Sequence, residues 1–145
     1  MRVAECMTRD VRLTSPDETI QEAAKAMASI DAGVLPVTEN DRLIGMLTDR
    51  DIAIRGVAAG CGPDAKVRDV MSPEVMYCFE DEELDDVLQN MGDIKVRRLP
   101  VVDREKRLVG IVSLGDIAQS GQGPRAGRAL HDIAEPGGPH SQVHH

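Results

Sequence analysis

The chain states one pattern twice. "VAECMT" at Val3 to Thr8 returns as "VRDVMS" at Val67 to Ser72, with Met7 and Met71 standing 64 residues apart. The same offset carries Asp17-Glu18 to Asp81-Glu82, Met27 to Met91, Ile30 to Ile94, and Leu35-Pro36-Val37 to Leu99-Pro100-Val101. Beyond the prolines the offset is 65, pairing Gly45 with Gly110, Thr48 with Ser113, and Asp51-Ile52-Ala53 with Asp116-Ile117-Ala118. One residue has entered the turn "DREK", where a hairpin loop absorbs it. Two copies of one pattern call for two copies of one supersecondary unit.

Each copy reads as strand, helix, strand, strand, helix. "DETIQEAAKAMASI" sets Ile20, Ala23, Ala24, Met27 and Ile30 at helical spacing, and "DEELDDVLQNMGDI" does the same with Leu84, Val87, Leu88, Met91 and Ile94. Acids crowd the first turn of both, which suits the helix dipole. "GVLPVT" and "RLIGMLT" flank the polar turn "ENDR", and "RLPVV" and "RLVGIVS" flank "DREK", as two hairpins. A closing helix follows in each copy, "DRDIAIRGVAAG" and the shorter "GDIAQSG". Gly60-Cys61-Gly62-Pro63 stops the first of these. The expected class is therefore α/β, in its α+β form, with one β-α-β-β-α unit over residues 1–62 and a second over 63–121. Residues 122–145, rich in Gly, Pro and His, read as a flexible tail.

Composition narrows the partners. A net charge of −8 argues against nucleic acid or an anionic membrane surface, which clustered Lys and Arg would serve. The aromatics are only Tyr77 and Phe79, so a stacking platform for single strands is lacking as well. No apolar run approaches a membrane span, and "MRVAECMTRD" lacks the core of a signal peptide, so a cytoplasmic protein is expected. Cys6, Cys61 and Cys78 form no CxxC pair and are expected as free thiols. No nucleophile or catalytic run declares itself, and no enzyme is expected.

The stretch "LIGMLTDRD" carries the candidate chemistry. Thr48 and Asp51 stand at Thr-x-x-Asp spacing, a capping box that alone accounts for them in folding terms. Ser113 and Asp116 repeat it. The copies differ three residues before the strand proline, where Arg97-Arg98 replace Gly33-Val34. Those arginines either solubilise a strand end and pair with acids such as Asp31 or Asp93, or they bind an anion.

Tandem units of this length, each with an hhPV strand, a glycine-containing strand and [Thr/Ser]-x-x-Asp-Ile, resemble a pair of CBS domains, the Bateman module, over residues 3 to about 120. "GMLTDRDIAIRGVAAG" is similar to the small stand-alone bacterial members. The resemblance implies two units packed with pseudo-two-fold symmetry, a further homodimer, and adenosine nucleotides or other adenosyl ligands bound in clefts between the units. It implies that AMP, ADP or ATP acts as a regulatory ligand, with no cofactor required. It assigns Thr48 and Asp51 to the ribose of the main cleft and Arg97 and Arg98 to its phosphate, with Ser113 and Asp116 forming a weaker second cleft. A carboxylate suits two adjacent ribose hydroxyls because it is an acceptor only. A guanidinium pair suits phosphate oxygens because each offers a planar fork of donors. Occupancy of the clefts would be passed to a second copy or a partner protein.

The competing class is a metal- or redox-responsive interaction module that binds no nucleotide. It rests on the three cysteines and on His131, His140, His144 and His145. Histidines suit zinc, although "HSQVHH" offers no ordered ligand spacing, and no metal ligand is assigned.

Overall fold

The repeated pattern folds into two compact units, each of which takes in one segment from the other copy. In this computed structural model, which describes residues 1–73, 75–119 and 123–134, the first unit is Arg12–Val75 with Lys106–Leu108. The second is Met1–Val11, Met76–Glu105 and the chain from Val109 onward. Each "VxxxM[Thr/Ser]" segment thus completes the unit built from the other copy.

In the first unit, helix α1 (Ile20–Ile30) starts at Thr19, whose hydroxyl accepts from the Glu22 amide while Glu22 reaches back to the Thr19 amide. This reciprocal cap satisfies two of the amides a helix start leaves open. Ile20, Ala23, Ala26 and Met27 are buried, whereas Ala24 is exposed and Ile30 is 43% exposed. The buried stripe therefore runs on the Ala26 side of the expected face. Ile30 sits in the last turn, where Asp31 ends the helix in the left-handed region at φ 52°.

Strands β1 (Val34–Glu39) and β2 (Arg42–Thr48) pair antiparallel through a turn in which Asn40 and Asp41 have φ of 54° and 66°. Positive φ at both central residues matches the twist of a hairpin. Thr14 bridges to Val37 in parallel, so the first strand of the pattern is reduced here to one bridge. After β2 come α2 (Asp49–Asp51), which runs straight into a π-helix over Ile52–Val57, and α3 (Val67–Val70). Val67 and Val70 are fully buried against Ile20, Leu35 and Leu47.

The second unit repeats this with additions. A 3-10 turn at Val3–Glu5 corresponds to α3. Strand β3 (Cys78–Phe79) pairs parallel with β4 (Arg98–Val102), which lies between it and β5 (Leu108–Ser113). Helix α4 (Leu84–Ile94) buries Leu84, Val87, Leu88 and Met91, and Lys95 ends it at φ 59°. A short helix, α5 (Leu114–Ile117), follows β5.

The tail expected from residue 122 is corrected over Gly123–Ala134, which form a twelve-residue helix, α6, packed on α4 and α5. Ala126 and Ala129 enter the core of the second unit, with Ile133 beside them. Tertiary burial outweighs the weak helical signal of a stretch holding two glycines and a proline. His140, His144 and His145 lie outside the described residues.

Candidate functional site

Strand β2 delivers Thr48 to the start of α2. The Thr48 hydroxyl accepts from the Asp51 amide at 3.0 Å, and Asp51 Oδ2 accepts from the Thr48 amide at 3.0 Å. The capping box is therefore fully formed. The other carboxylate oxygen, Oδ1, faces the Ser72 hydroxyl at 3.5 Å. Ser72 is held there by two backbone bonds with Met46, 2.9 and 3.0 Å long. Gly45 permits this approach, since a Cβ on it would stand 2.8 Å from the Ser72 carbonyl oxygen. The π-helix begins one residue after Asp51, and such segments recur beside functional sites.

The second unit builds the same constellation from the exchanged partner. Ser113, at the end of β5, accepts from the Asp116 amide at 3.1 Å. Asp116 Oδ2 accepts from the Thr8 hydroxyl at 3.1 Å. Thr8 exchanges two backbone bonds with Ile111, and a Cβ on Gly110 would stand 2.7 Å from the Thr8 carbonyl oxygen. Each [Thr/Ser]-x-x-Asp acid thus meets a hydroxyl from the residue after the repeated methionine. Ser72 and Thr8 belong to the site, and the sequence reading did not assign them. The signal was present, because both "MT" and "MS" close the most similar segment of the repeat.

Arg97 and Arg98 lie at the start of β4, exposed, with no ion-pair partner among the described residues. With Ser113 they line a cavity of about 530 Å³ in the second unit, to which Gly123, Ala126 and Gly127 of α6 also contribute. The structure thus brings Arg97, Arg98 and Ser113 to one cavity, and Thr48 and Asp51 to one cap. The Arg97 carbonyl accepts from the Leu114 amide, as the Gly33 carbonyl accepts from Asp49. A Cβ on Gly33 would come within 2.8 Å of the exposed Asp49 carboxylate, which would have to swing aside.

The thiols lie in three settings: Cys61 is exposed, Cys6 half-buried and Cys78 buried. Burial, with smaller contributions from Glu82 and Cys6, pushes the Cys78 thiol up to about 12. Burial likewise raises Cys6, with Asp116 and Glu5 adding to it. Among the described residues no group of three or more His, Cys, Asp or Glu side chains is gathered as a metal site. No helix among them is long and apolar enough to cross a membrane.

Comparison with known proteins gives a consistent result. A family model described as the CBS domain matches residues 3–56 and 67–122. The CBS domain-containing protein YhcV of Bacillus subtilis is 43% identical over 143 residues, covering 98% of both chains. A crystal structure of Hypoxic Response Protein I with two coordinated zinc ions matches with a TM-score of 0.73 at 38% identity, covering 82% of this chain and 98% of that one. The CBS domain pair of protein MJ0100, in complex with 5'-methylthioadenosine and S-adenosyl-L-methionine, matches with a TM-score of 0.68 at 28% identity, covering 86% and 98%.

Proposed function

Because the chain belongs to the CBS-domain family, with two copies of the domain in tandem, we propose that it is a non-enzymatic sensor that binds an adenosine nucleotide or related adenosyl ligand. Thr48 and Asp51 hold a ribose, and Arg97 and Arg98 take a phosphate. Ser113 and Asp116 serve a second, weaker position. Binding biases the protein toward one of two arrangements, and a second copy of the chain or a partner protein reads the difference.

The observation that carries this reading is the arginine pair. Two adjacent arginines without an acid partner among the described residues line a cavity in a chain of net charge −8. Ion pairing within the protein would have been easy to supply, and a phosphate fits what is left. The adenosyl ligands of the MJ0100 pair support the choice of base and sugar. The half-buried carboxylates of Asp51 and Asp116, each already facing a hydroxyl, suit a ribose diol.

Calorimetric titration of AMP, ATP, S-adenosylmethionine and NAD into wild type and Asp51→Ala tests it. Wild type is expected to bind at least one, and Asp51→Ala, with its fold retained, to lose about tenfold or more in affinity. Arg97→Ala with Arg98→Ala is expected to weaken AMP far more than adenosine. Equal losses for the two compounds would remove the arginines from the phosphate. The zinc of Hypoxic Response Protein I supports the metal-responsive alternative. Tight zinc binding that survives Asp51→Ala, with no adenosyl ligand bound, would favour that alternative.

A further inference from the structure

Helix α6 lies wholly beyond the matched CBS residues, which end at 122, yet it helps to line the cavity that Arg97 and Arg98 line. Two features of the helix point the same way. Gly127 is inside the helix, where glycine costs stability through backbone entropy. A Cβ on it would meet nothing within 4 Å, so no packing neighbour requires the glycine. Gly123, at the start of the helix, is equally bare. Next to them Ala126 is buried, and Leu130, 41% exposed, continues the apolar side.

The same cavity is lined by Arg97 and Arg98, which have no ion-pair partner among the described residues, and by Ser113. The volume, about 530 Å³, is that of a small-molecule site, and its lining mixes polar and apolar side chains. We propose that this cavity is a binding site for an organic phosphate, with the phosphate on Arg97 and Arg98 and an uncharged body against Ala126 and Leu130 of α6. Helix α6 is then a ligand-contacting wall that this chain adds to its CBS pair. The proposal rests on the assignment of Arg97 and Arg98 to phosphate and extends it to α6.

Gly127→Asp adds a carboxylate to the lining of the cavity that the arginines share, and Gly127→Ala is the control. Both replace a helix glycine by a better helix former, so neither is expected to lower the melting temperature. AMP, phenyl phosphate and inorganic phosphate are titrated into wild type and both variants. Gly127→Asp is expected to weaken AMP and phenyl phosphate by about tenfold or more through like-charge repulsion, and Gly127→Ala by less than about threefold. AMP binding of equal strength in all three proteins would overturn the role of α6 and leave the adenosyl reading standing. Binding of phenyl phosphate but not AMP, lost in Gly127→Asp, would uphold the cavity and remove the nucleotide. Binding of inorganic phosphate alone would overturn the organic-phosphate site and leave the arginines with an anion, and binding of none of the three would overturn the proposal together with the arginine assignment.

Discussion

Gly45 and Gly110 show how one residue type can be demanded by a close approach. The bonds between Ser72 and Met46, and between Thr8 and Ile111, bring a carbonyl oxygen to 2.8 and 2.7 Å from the place a Cβ would occupy. Gly110→Ala must push the Thr8 strand away, which weakens the Thr8–Asp116 contact as well. A loss of about 1–3 kcal/mol is expected in denaturant unfolding, as for overpacking in general. Gly62→Ala, where a Cβ meets nothing within 4 Å, serves as the control. Equal effects of the two substitutions would refute the steric account.

Cys78 makes a second residue-scale prediction. Its thiol titrates near 12 in the fold against 9.0 for the ordinary group, mainly because burial disfavours the thiolate. Between those values the unfolded chain has released a proton that the folded chain retains. Stability therefore falls as pH rises from about 9 and is undisturbed by this group below it. Cys78→Val is expected to flatten the alkaline fall in thermal melts between pH 8 and 10.5. An unchanged slope would place the alkaline sensitivity in other groups. At this scale the sequence was informative where the cause is local, as in the Thr48–Asp51 box, and silent on Ser72 and Thr8, whose roles depend on chain 21 and 108 residues away.

At the scale of elements, legibility follows the range of the forces involved. The helices α1 and α4 could be read because their apolar residues recur at helical spacing, and the β1–β2 turn because Asn40 and Asp41 tolerate positive φ. Helix α6 escaped because its apolar face is short and its glycines argue for a loop. Its stability comes from α4, on which it packs so closely that a Cβ on Gly92 would meet the Asp132 carboxylate at 2.9 Å. The same covering explains a difference between the copies. Leu88 on α4 is 5% exposed, whereas Ala24, its counterpart on α1, is exposed. The π-helix likewise left no local mark, although Gly56 within it lies against Ile20, whose Cδ1 would be 3.2 Å from an added Cβ.

For the whole chain, the exchange of the two "VxxxM[Thr/Ser]" segments is the feature the repeat could not decide. Each segment ends in a hydroxyl and each copy has a glycine to receive it, so either assignment satisfies the pattern. The backbone shows which one is realised: Val3 and Leu84 bond to Glu82 and Met1, while Val67 and Arg68 bond to Glu18 and Pro16. Val3 is fully buried in the core of the second unit with Leu84 and Met91. Deleting Met1–Val11 therefore removes a core residue and the hydroxyl on Asp116 from the unit that holds α4, although those eleven residues adjoin the other unit in sequence. Hydrogen exchange on the truncated chain is expected to show faster exchange at Leu84–Ile94 and Arg98–Val102 than at Val34–Glu39, because the segment's backbone bonds run to the former unit. Protection lost first at Val34–Glu39 would mean that the segment supports the copy it adjoins.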